Sequence, residues 1–161
     1  MQTFTYPFIS RLIYRFGNIL LTFFLLILFI TSATNLNVSL LNLIPFIITS
    51  LLIYFLNKNY LMLYKLMPFK IEADAEKMIC SDFIFSKKVL TICYSDVESL
   101  SGGVFDGKSY GLMKVCDGKN KVCVAFYNSL KNSRTLEKII LARVDRKVYD
   151  IAAEKIKGKK L

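Results

Sequence analysis

The sequence predicts a membrane-embedded helical hairpin followed by one small α+β body. Three observations carry this. Residues 16–57 contain no Lys, Arg, Asp or Glu and are mostly Leu, Ile, Phe and Val, an apolar length that a bilayer can hide and a soluble domain of this size cannot. Thr31, Ser32, Thr34, Asn35 and Asn37 interrupt the run near its middle, dividing it into two helices and a turn. After Met67 the period changes from a continuous apolar run to short alternating patterns, the mark of strands.

The first helix is predicted over about 12–33 and the second over about 43–66, within a membrane unit of residues 1–67. Ahead of them, residues 1–10 are aromatic-rich, and Phe4, Tyr6 and Phe8 suit the headgroup region. The connection, about 34–42, is uncharged and rich in Asn, which ends helices and accepts turn conformations. Pro45 fits the first turn of the second helix, where its missing N–H costs little, and Pro68 ends it. A link this short returns the helices side by side. The N-terminal apolar stretch is too long for a cleaved signal and reads as retained.

Charge gives the orientation. Arg11, Arg15, Lys58 and Lys65 flank the two helices and the connecting turn has no charge, so the positive-inside rule puts both termini in the cytoplasm. The expected location is a bacterial inner (cytoplasmic) membrane, crossed twice.

A chain of 161 residues leaves room for one compact body beyond the membrane, here 68–161. Strands are predicted near 69–73, 78–85 (kinked near Ser81 and Asp82), 89–94 and 96–100. Two clearer ones, 110–116 and 121–126, flank Asp117-Gly118, a strong hairpin signal. Helical spacing follows: Leu136, Ile139, Ile140 and Val144 share a face that continues to Ile156. The spacing fits one helix over 133–157 or two with a break near Asp145. Strands without β-α-β alternation and a closing helix predict an α+β domain or a partly open barrel capped by that helix.

Catalytic signatures are missing. The chain has no histidine, which excludes Ser-His and Cys-His nucleophile pairs. The segment Ser101-Gly102-Gly103-Val104-Phe105-Asp106-Gly107-Lys108 lacks phosphate-loop spacing. Asp96, Glu98 and Asp106 could form an acidic corner, although solvated surface is the simpler reading. Cys80, Cys93, Cys116 and Cys123 have no zinc-pair spacing. In the cytoplasm they should be free thiols, while Cys116 and Cys123 flank the predicted turn and could face one another. No metal, cofactor, small-molecule substrate or nucleic acid is expected. The net charge of +10 is spread along the chain, with no nucleic-acid motif.

The glycine-rich segment reads instead as a mobile interaction loop. Gly102, Gly103 and Gly107 free the backbone, while Phe105 and Lys108 project a ring and a cation. Lys87, Lys88, Lys119 and Lys121 occupy other inter-strand turns as candidate contacts to anionic lipid.

The order of pieces also resembles a known family. The helical hairpin ending before Pro68, the strand at 92–100, the glycine loop, Tyr110-Gly111, the Asp-Gly turn and an Asn-bearing link at Asn128 or Asn132 into the terminal helix are similar to bacterial PH-like domains that follow paired membrane helices. The similarity covers about 69–145. It implies a curved, roughly orthogonal antiparallel sheet closed by a C-terminal helix, in a family that is not an enzyme class. The extension through Val148 to Ile156 departs from that pattern. The function expected is a non-catalytic accessory or structural subunit of a membrane assembly, in contact with lipids and another integral membrane protein. The alternative is an anionic-lipid sensor.

Overall fold

The computed structural model describes residues 1–36, 40–84 and 86–158. Asn37 of the expected turn, Phe85 at the end of an expected strand and the basic tail 159–161 lie outside these residues. The chain forms two units, a hairpin of Arg11–Tyr64 and a body of Met1–Ser10 with Lys65–Leu161.

In the hairpin, α1 (Phe8–Thr34) and α2 (Leu43–Leu66) have 27 and 24 residues, about 40 and 36 Å at 1.5 Å per residue. Both are long and apolar enough to cross a membrane, with mean hydropathy 2.2 and 1.4 over their most apolar stretches. The second helix has its expected bounds. The first starts four residues before the expected Leu12, directly after Pro7, whose locked φ favours a helix start.

Two contacts set the helix register. Asn18 Nδ2 donates to Asn57 Oδ1 at 3.1 Å, and Asn57 Nδ2 to Thr22 Oγ1 at 3.3 Å. Phe29 stacks on Phe46 with centroids 4.9 Å apart. Both contacts lie eleven residues apart on each helix (29 − 18 and 57 − 46), as antiparallel packing without slip requires. Hydroxyls of Thr31, Ser32, Thr49 and Ser50 donate to carbonyls one turn back, satisfying polar groups that hydrocarbon would leave without partners.

The body contains seven strands: β1 (Gln2–Thr5), β2 (Pro68–Ala73), β3 (Lys77–Phe83), β4 (Leu90–Cys93), β5 (Val97–Ser101), β6 (Leu112–Asp117) and β7 (Val122–Tyr127). The last six fall where alternation predicted strands, and the expected kink in β3 is Asp82 at φ 59°. β1 was not expected. Instead of lying among headgroups, Gln2–Thr5 pairs antiparallel with β2, and Phe4 and Tyr6 are buried.

The curved sheet or partly open barrel does not form. The strands make two separate open antiparallel sheets, ordered β1-β2-β3-β4 and β5-β6-β7. A 3-10 turn at Tyr94–Asp96 causes the break. Its ends are tied by Tyr94 N to Glu76 O and Gly118 N to Asp96 O, both 3.0 Å, so β5 leaves the first sheet and joins β6. Closure would need pairing between the sheets, and none joins them among the described residues.

Nor does a single helix close the body. The C-terminal segment is α3 (Ser133–Leu141) and α4 (Arg146–Lys157), with the break beside Asp145. Leu136 and Ile140 of α3 are fully buried, and α4 packs on β5 and on a 3-10 turn at Gly103–Asp106.

Register sorts the connections to two ends of the body. At the first, the chain leaves β1 for α1 and returns from α2 into β2. Phe83 lies opposite Pro68, so the β3–β4 connection is here. Tyr127 N donates to Tyr6 Oη at 2.8 Å and Lys131 N to Thr5 O at 3.0 Å. These bonds bring the end of β7, and with it the β5–β6 connection, to the same end. The β2–β3 and β6–β7 turns lie at the opposite end, where Arg143 donates to Asp74 O.

Candidate functional site

Gly102, Gly103, Phe105, Gly107 and Lys108 form an ordered turn. Gly102 has φ 78°, and a Cβ there would stand 2.0 Å from Leu112 O, so only glycine fits. Gly102 N donates to Asp106 Oδ2 at 2.7 Å, and Lys155 Nζ of α4 reaches Asp106 Oδ1 at 3.2 Å. Burial pushes the Asp106 carboxyl up, but the Gly102 N–H, Lys155 and Lys108 outweigh it and hold the pKa below the ordinary value.

Phe105 does not project. Its ring is fully buried because the glycine turn folds back onto β6 and beneath α4. What the segment leaves outside is Lys108 and, beyond it, Tyr110, which is 83% exposed. Asp106, Lys108, Lys155 and Gly158 border a cleft of about 410 Å³.

The four turn lysines are exposed and divide between the two ends. Lys87 and Lys88 lie in the β3–β4 connection at the hairpin end, as does Lys108. Lys119 and Lys121 lie in the β6–β7 turn at the opposite end. Lys131, unremarked in the sequence, joins the first group through its backbone bond to Thr5. Asn128 Nδ2 donates to Ser109 O at 3.1 Å and holds the segment bearing Lys108 and Tyr110 beside it. The acidic corner does not assemble: Asp96 lies beside the β6–β7 turn and Asp106 on the glycine turn.

The β6–β7 turn is built around Asp117, a carboxylate only 2% exposed. It accepts from Lys119 N at 2.8 Å, Asn120 N at 3.0 Å and Asn120 Nδ2 at 2.8 Å. Burial raises its pKa, yet the Asn120 and Lys119 bonds prevail and lower it overall. Directly beside it, Cys116 and Cys123 are register partners joined by a disulfide, with Cα atoms 4.1 Å apart. The free thiols expected at all four cysteines are thus corrected at Cys116 and Cys123, which face one another across the strands as their spacing allowed. Cys80 and Cys93 are free thiols, Cys80 fully buried.

Sequence reasoning also passed over Glu137, 5% exposed within α3. Burial pushes its carboxyl above the ordinary value, against the opposing pull of Arg134 and Ser133. Its position beside Leu136 on the apolar face was the available signal.

Comparison with known proteins adds no relative: no protein-family model matches the chain, and neither a curated protein nor a solved structure matches it. With two open sheets and no family match, the PH-like resemblance is withdrawn; of the expected inner-membrane location, what stands is two helices long and apolar enough to cross a membrane.

Proposed function

We propose that the chain is a non-catalytic accessory or structural subunit of a membrane assembly, anchored by α1 and α2. The observation that carries this reading is the β1–β2 pairing. Its four register pairs, from Gln2↔Ala73 to Thr5↔Lys70, tie together the segments on either side of the hairpin. Both flanks of the anchor are thereby built into one folded body, which suits holding a partner.

The chemistry of the chain agrees. Residues 16–57 carry no Lys, Arg, His, Asp or Glu that would serve as an ion path or proton relay within hydrocarbon. The chain also lacks histidine, the commonest general base. Arg11, Arg15, Lys58 and Lys65 favour the cytoplasmic side for both flanks of the hairpin. The partner in this reading is another integral membrane protein.

Photocrosslinkers placed at Leu20, Leu51 and Tyr149, which are exposed on α1, α2 and α4, test this in native membranes. The expected result is one recurrent protein adduct of constant mass from at least one position. A full-length chain that leaves the membrane alone in native nanodiscs, with only lipid adducts at all three positions, overturns the proposal.

A further inference from the structure

We infer that the end of the body from which the hairpin departs is a docking surface for anionic lipid headgroups of the same bilayer. Lys87, Lys88, Lys108 and Lys131 supply its charge, and Val89 and Tyr110 its apolar tips. This deepens the proposed function and rests on its anchor, since it requires α1 and α2 to lie in a membrane.

Covalent connectivity supplies the first argument. Thr5 precedes the start of α1 by three residues and Pro68 follows the end of α2 by two. Their end of the sheets is therefore the one joined to both apolar helices. Register supplies the second, because the connections bearing Lys87, Lys88, Lys108 and Lys131 all converge on that end.

Charge supplies the third. Asp74, Glu76, Asp96 and Asp117 belong to the turns of the opposite end. Asp82, Asp106 and Glu154 are carboxylates near the hairpin end, and Asp106 is engaged by Gly102 N and Lys155. The end joined to the helices thus carries an excess of lysine, which an anionic leaflet attracts, while the opposite end mixes its carboxylates with Lys77, Lys119, Lys121 and Arg143. Val89 is 60% and Tyr110 83% exposed, in a setting where an aliphatic or phenolic side chain gains by reaching the interface. Lys119 and Lys121, at the opposite end, are excluded from the surface.

Lysine acetylation read by mass spectrometry tests this on the full chain, without mutation. The chain is placed in nanodiscs of phosphatidylcholine alone or of an equal mixture with phosphatidylglycerol. In the mixture Lys87, Lys88, Lys108 and Lys131 should react about fivefold more slowly, and high salt should remove the difference. Lys119 and Lys121 should react alike in both. Equal rates at the first four lysines, or slowing shared by Lys119 and Lys121, overturns the inference. A chain not retained in either nanodisc sinks the anchor as well, whereas a retained chain with unchanged rates sinks the lipid surface alone.

Discussion

Thr5 and Lys70 are register partners across β1 and β2, so a sheet joins the residues that lead into one long apolar helix to those that lead out of the other. The four-residue strand β1 is therefore part of the body's core and not a free leader.

Phe4 measures that contribution. Its ring is 3% exposed, and Phe4→Ala is expected to destabilise the body by about 3–5 kcal/mol through lost burial and the cavity left behind. Denaturant unfolding of the full chain in mild detergent reads the change. A loss under about 0.5 kcal/mol, typical of surface substitutions, would mean that β1 is not docked. The same logic predicts that a fragment beginning at residue 69 is a poor stand-in for the body, because it lacks both β1 and Tyr6.

Asn57 is the polar hub of the hairpin, bonded to Asn18 and Thr22 across the helix pair. Asn57→Leu should weaken the helix pair by about 0.5–2 kcal/mol, since intramembrane hydrogen bonds are worth little more than this. Reversible unfolding in mixed micelles gives the number. Phe29 and Phe46 hold the same register farther along, so the variant should still form the hairpin. Loss of the hairpin altogether would show that the Asn cluster alone specifies the packing.

These two sites differ in how readable they were. The hairpin announced itself in an uncharged run, because hydrocarbon excludes charge from a whole segment at once. Asp117-Gly118 announced a turn because its chemistry is local. β1 was hidden: four residues give too short an alternation, and the partner strand is more than sixty positions away. Phe105 was misread for a related reason. Glycines suggest mobility, yet here they allow the close approach that buries the ring under α4. Dividing the lysines between two ends required the register of β3 on β2 and of β7 beside Tyr6, and no local pattern encodes either. The switch of sheets at Tyr94–Asp96 likewise depends on bonds to Glu76 and Gly118.

Asp117 gives the β6–β7 turn a pH dependence of defined sign. Its pKa in the folded chain is lowered from the ordinary 3.8, so the native state favours the carboxylate. The associated stability is fully present above that ordinary value and is lost as pH falls through the lower, folded value. Asp117→Asn should remove this part of the acid dependence. It should also cost about 1–3 kcal/mol at neutral pH, because hydrogen bonds to a charged acceptor are among the stronger ones. Amide exchange of Lys119 and Asn120 followed from pH 7 downward is the direct measurement, and an unchanged acid response in the variant would assign the titration elsewhere.

The cysteines test the proposed orientation. The charge rule favours the cytoplasm for the body, whereas the Cys116–Cys123 bond would persist on an oxidising face. If the positive-inside assignment holds, cellular reductant keeps the pair as two thiols, held close by their register whether or not they are bonded. A membrane-impermeant maleimide should then miss Cys93, Cys116 and Cys123 in intact cells and modify them once the membrane is permeabilised. Cys80 is an internal control: burial pushes its thiol up to about 12, leaving almost no thiolate to react in the folded chain. Modification of Cys93 in intact cells, with Cys116 and Cys123 recovered as a closed disulfide after acid trapping, would reverse the orientation. The basic flanks would then face outward against the charge rule, and the bond would become a structural clamp on the Asp117 turn.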